Sequence, residues 1–252
     1  MPAADGRWIE MDVDGAPMRG WLVEPEGTGS HPGVVVLMEI FGVNAHIRSV
    51  TQRLAEAGYV ALAPDYYHRT APGIELAYDA DGVTRGRELK EACRVSELEA
   101  DIRAAQRALE THPRVSGRLG VIGFCFGGHV AFLAAASADF AATVCFYGGG
   151  IATGSPGGAP APVHRASSIS GALLCVFGED DEGIPPAQID QIRAALKEAH
   201  IEHDVRVYGD AGHGFFCDAR RSYQPAAAAD AWEKVQSFFL AHLMGDRAGA
   251  KG

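Results

Sequence analysis

Along most of the chain, short apolar runs alternate with stretches of helical periodicity. Such alternation predicts an α/β class fold: a mostly parallel sheet flanked by helices on both faces. Residues 7–13 and 19–24 predict an opening pair of strands around the Asp14-Gly15 turn. Residues 33–38 are continuously apolar, as a strand covered on both faces requires. Helical periodicity over 47–57 stops at Gly58, and 59–63 predicts a strand ended by Pro64. Residues 97–110 predict an amphipathic helix, and 118–122 a strand running at once into GFCFGG and a helix over 128–136. Strands are predicted at 141–146, 172–177 and 204–208, and helices at 186–199 and 226–243. Two stretches carry neither pattern. Residues 65–94 are polar and irregular, a lid or wall over a site, and 148–171 are a loop rich in Gly, Pro, Ala and Ser. No repeat or compositional break divides the chain, so residues 1–252 are expected to form one domain with a flexible tail at 245–252.

Composition narrows the partners. The 32 acidic and 22 basic residues give a net charge of -10, which disfavours nucleic acid and anionic membrane surfaces. The most apolar stretch, 130–147, is broken by Ser137 and Asp139, and the N-terminus lacks the basic start and apolar run of a secretory signal. The five cysteines, Cys93, Cys125, Cys145, Cys175 and Cys217, are odd in number and form no C-x-x-C pair. Free thiols in a reducing cytoplasm are therefore expected, without a disulfide framework, a metal site or an organic cofactor.

Against that background, residues 120–128 (GVIGFCFGG) stand out. Cys125 occupies the nucleophile position of a strand-to-helix elbow, where Gly123 and Gly127 relieve crowding. The helix that follows directs its positive N-terminal end at the sulfur and favours thiolate. Cys145 and Cys175, inside apolar strands, are expected to be inert core thiols. Cys125 and His129 do not make a metal site, because nothing nearby completes the ligand set. His213 lies in a glycine-rich turn after the last predicted strand, a suitable place for a general base. Between them the loop FGEDDEGIP offers Glu179, Asp180, Asp181 and Glu182 as the acid that steers the imidazole. The order nucleophile, acid, base suits this architecture, but pattern alone does not choose among the four. Glu39 ends an apolar strand, where a carboxylate needs a partner, and Arg48 and Arg69 are the candidates.

Taken together, MEIFGVN at 38–44, the GFCFGG elbow, the FGEDDEGIP loop and AGHGFF at 211–216 resemble the dienelactone hydrolase family of α/β-hydrolases, over about residues 33–240. The resemblance implies a catalytic Asp181, with Cys125 and His213, and a Glu39 that lies near the cysteine and holds or accepts the thiol proton. It implies an oxyanion hole from the backbone N–H groups of Ile40 and Phe126. The dienelactone-processing members carry an arginine a few residues after the histidine, and here Cys217 takes that place. Arg85 or Arg87 is the candidate second substrate arginine, and Phe41 and Tyr147 are further candidate substrate-binding residues. The expectation is a hydrolase acting on a small-molecule ester or lactone, without cofactor, as a monomer or homo-oligomer. The alternatives are a redox-sensing thiol protein, a carboxylesterase or thioesterase of unrelated substrate, and a non-catalytic binding scaffold. No resolving cysteine lies near Cys125 in sequence, which counts against redox sensing.

Overall fold

The alternating N-terminal segments zip into an antiparallel hairpin, β1 (Arg7–Val13) and β2 (Ala16–Val23). The apolar runs that follow become β3 (His31–Leu37) and β4 (Val60–Pro64), each buried at every residue. The strands β5 (Val115–Phe124), β6 (Ala142–Phe146), β7 (Ala172–Gly178) and β8 (His203–Tyr208) complete an eight-stranded sheet of order β1-β2-β4-β3-β5-β6-β7-β8. From β4 to β8 every pairing is parallel. The computed structural model describes residues 2–244, so the expected tail at 245–252 lies outside the described residues.

The helices are α1 (Ala45–Glu56), α2 (Ala80–Ala92), α3 (Val95–Glu110), α4 (Phe126–Ser137), α5 (Pro186–Glu198) and α6 (Pro225–Leu243). α3 and α4 touch each other over one face of the sheet, and α1 and α6 cover the other. Two 3-10 turns, Pro156–Gly158 and Pro162–Ser168, interrupt the expected loop.

The irregular stretch expected at 65–94 is instead ordered. The Asp65 carboxylate accepts from the N–H groups of Tyr67 and Gly73, and the Asp79 side chain caps α2 through Gly82 N–H at 2.8 Å. α2 escapes the periodicity test because its buried residues are Gly82, Gly86 and Leu89, so a single large apolar side chain marks its inner face.

Strand order reverses between β3 and β5: the connection after β3 leads to β4 on one side, and that after β5 to β6 on the other. In open α/β sheets the crevice beyond the strand ends at such a switch point is where ligands bind. The two segments meet tightly there. A Cβ on Gly123 would lie 1.9 Å from the carbonyl oxygen of Gly127, and one on Gly127 would lie 2.2 Å from that of Leu37. Neither neighbour is a side chain that can turn aside. Gly123→Ala should therefore destabilise the protein by about 3 kcal/mol. Urea unfolding measures this, and an unchanged midpoint would contradict the crowding argument.

Candidate active site

The buried end of β5 carries the chain into α4 through Cys125, whose backbone sits at φ 55°, ψ -114°. That region costs a non-glycine residue about 1–3 kcal/mol, so the surroundings must impose it. Three bonds do so: Cys125 N–H donates to Phe146 O at 3.0 Å, and the N–H groups of Gly128 and His129 donate to Cys125 O. The thiol is thereby raised beyond the sheet edge, partly exposed, at the N-terminus of α4. The other four cysteines are buried, and all five are free.

The loop after β8 delivers His213, and Ser222 fixes it by donating to His213 O at 2.7 Å. Its Nε2 stands 3.1 Å from Cys125 Sγ and its Nδ1 2.7 Å from Asp181 Oδ2. Asp181, after β7, is buried, whereas Glu179, Asp180 and Glu182 are exposed. The second Asp181 oxygen accepts Gly183 N–H at 3.0 Å, so both oxygens are oriented. Burial of His213 works against its charged form. The Cys125 sulfur and the Asp181 carboxylate outweigh it and push the imidazole up to about 10.

Glu39 and Ile40 follow β3. Glu39 is fully buried, and neither Arg48 nor Arg69 is its partner: Arg48 engages Glu75 and Arg69 engages Asp101. Instead Arg220 donates to Glu39 Oε1 at 2.9 Å and Tyr78 donates to Oε2 at 2.8 Å. The Cys125 thiol faces the imidazole, while the Glu39 carboxylate is turned toward these two donors. Sequence reasoning missed Arg220, looking four residues after the histidine, where Cys217 is buried. Three residues further on, Arg220 reaches back into the site.

A cavity of about 460 Å³ opens beside the thiol, within the usual range for small-molecule sites. Ile40, Phe41, Phe126, Cys125, Asp181 and His213 line it. Phe126 begins α4, so its N–H has no acceptor within the helix. Three cations, Arg87, Lys90 and Arg220, also line the cavity, against one acid already committed to the imidazole. Lys90 had no sequence signal of its own until α2 was recognised. Arg85 is not among the lining residues and pairs with Glu88 at 2.8 Å. Tyr147 is not a lining residue either: it is fully buried, and its ring packs edge-on against His213 at 5.2 Å.

A sequence profile of the dienelactone hydrolase family matches residues 18–243. A Synechocystis sp. protein provisionally named a carboxymethylenebutenolidase is 45% identical over 225 residues, 89% of this chain and 92% of that protein. A carboxymethylenebutenolidase of Rhodococcus opacus is 32% identical, covering 88% of this chain and 86% of that protein. In structure, a provisionally named dienelactone hydrolase from Klebsiella pneumoniae superposes with a TM-score of 0.79 at 29% identity, covering 94% of this chain and 99% of that chain. Among the described residues, no helix is long and apolar enough to cross a membrane.

The raised imidazole sets a pH dependence. Protonation of His213 persists up to about 10, so kcat/KM should fall on the alkaline side near that value. Asp181→Asn removes one of the two negative groups that raise it, and the alkaline limb should move to lower pH. A pH–rate profile on an activated aryl ester measures both, and an unmoved limb in the variant would contradict the assignment.

Proposed function

Since the chain belongs to the dienelactone hydrolase family, and so is a hydrolase of ester or lactone type, we propose that it cleaves a small anionic ester or lactone with Cys125 as nucleophile. The observation that carries the reading is the line of contacts from Cys125 Sγ through His213 to Asp181, at 3.1 and 2.7 Å. In this reading the thiolate attacks the carbonyl carbon. The oxyanion that forms is held by the N–H groups of Ile40 and Phe126, each worth about 3 kcal/mol. The imidazolium gives its proton to the departing alkoxide, leaving a thioester on Cys125. His213, now neutral and steered by Asp181, takes a proton from water as it attacks the thioester. Release of the acid restores the thiolate and imidazolium. No step calls on a metal or organic cofactor.

Charge supports an anionic substrate. Arg87, Lys90 and Arg220 converge on one cavity of a protein whose net charge is -10, and a substrate carboxylate would meet them in a partly desolvated setting. Phe41 and Val83 supply apolar wall for the body of the substrate. Glu39 serves here as the counter-charge that keeps the Arg220 guanidinium in place before substrate arrives.

Two measurements test the reading. Cys125→Ala should lower kcat on an activated aryl ester by at least about a thousandfold; wild-type turnover in that variant would remove the nucleophile. Arg87→Ala should reduce kcat/KM for an anionic ester about tenfold relative to a neutral one, while Arg85→Ala should leave the ratio unchanged. Equal effects of the two variants would remove the charge reading.

A further inference from the structure

Next to the proposed active site lies a second group of reactive side chains, which the proposed mechanism uses only through the contact of Glu39 with Arg220. A carboxylate oxygen of Glu39, a ring nitrogen of His46 and the Sγ of Cys217 all lie within 4.8 Å of one another, and all three residues are buried. Two of these residues have bland explanations: Glu39 is the partner of Arg220, and Cys217 fills core space. His46 has none. It is 8% exposed, and its Nε2 is buried without a hydrogen-bond partner. An orphaned imidazole nitrogen in a dry setting is costly unless something occupies it. The carboxylate of Asp218 stands 3.8 Å from the other ring nitrogen, too far for a hydrogen bond.

We propose that Glu39, His46 and Cys217 form a binding site for a thiophilic divalent cation, zinc in the first instance. The donor set of one thiolate, one imidazole and one carboxylate suits zinc, and it excludes magnesium and calcium, which take oxygen ligands. Around tetrahedral zinc, donor atoms stand about 3.3–3.8 Å apart, so side-chain rotations of about 1 Å close the set. Binding forms zinc–sulfur, zinc–nitrogen and zinc–oxygen bonds, displaces water from the ion and releases the Cys217 thiol proton to buffer. No electron changes hands. Zn2+ with one thiolate, one carboxylate and a neutral imidazole is a neutral centre, and the Arg220 guanidinium that loses Glu39 to it is left facing the substrate cavity that it lines, a cost that the zinc bonds must exceed. A separate surface cleft of about 260 Å³, lined by His46, Arg53, Phe216 and Asp218 among others, reaches His46 but not Glu39 or Cys217.

Occupancy would draw Glu39 away from Arg220 and Tyr78, so zinc should also slow turnover. That consequence rests on the proposed function; the binding does not. The test therefore reads binding directly, on full-length Cys125→Ser protein, from which the nucleophile thiol has been removed. Cobalt titration should give a thiolate-to-cobalt charge-transfer band saturating at one equivalent, and zinc should displace the cobalt. In Cys125→Ser/Cys217→Ser the band should vanish. In Cys125→Ser/His46→Gln cobalt affinity should fall at least about tenfold. Circular dichroism identifies any variant that fails to fold, and either second substitution decides the matter without the other. No saturable band in Cys125→Ser, a band that survives loss of Cys217, or affinity unmoved by His46→Gln would each overturn the site.

Discussion

The steric closure of the bend at Cys125 is the constraint on which the rest depends. The end of β5, the start of α4 and the end of β3 approach so closely that Gly123 and Gly127 have no room for a Cβ. In that space the backbone of residue 125 has a positive φ imposed on it, at a cost of about 1–3 kcal/mol. The strain is held by Phe146 O and by two N–H groups of the first turn of α4. What it secures is the position of one sulfur atom: above the sheet, at a helix N-terminus, open to the cavity. His213 and Asp181 arrive from the connections after β8 and β7, and neither would have anything to act on were the bend relaxed.

Electrostatics then divides the site into two linked pairs. One is the sulfur with the imidazole, which Asp181 supports from behind. The other is Glu39 with Arg220, a carboxylate removed from water and matched by a guanidinium that also sits near the rings of Phe41 and Tyr78. A buried charge left unpaired would cost several kcal/mol, so each member of the second pair holds the other in place. Because Arg220 is also a cavity wall, the pair couples the interior of the protein to the charge of whatever enters.

Much of this was legible in the sequence, for identifiable reasons. Strands buried on both faces must be written in continuous apolar runs, so β3, β4, β6 and β7 could be read directly. The elbow was legible because crowding leaves glycine no substitute at its two flanks. The acid loop was half legible: four carboxylates in a row satisfy the pattern equally, the resemblance alone pointed to Asp181, and in the structure its burial and its contact with His213 set it apart. α2 was illegible because glycines, not large apolar residues, make most of its contact face. Arg220 was illegible because its role depends on how the chain folds back after His213, not on a fixed interval from it. Arg85 and Arg87 could not be separated before the helix that carries them was known, since its rotation turns one toward the cavity and the other toward Glu88. Tyr147 was displaced from its expected place because the chain turns it inward at a φ of 35°, beneath the imidazole.

The account stands on covalent chemistry at a single sulfur, and intact-protein mass spectrometry reads that chemistry most directly. Mixing the enzyme with an activated aryl ester and quenching in acid within one turnover should reveal a single acyl adduct, mapped by peptide analysis to Cys125 and lost when the reaction is allowed to finish. Full turnover with no adduct at any time, or an adduct carried by a different residue, would contradict it.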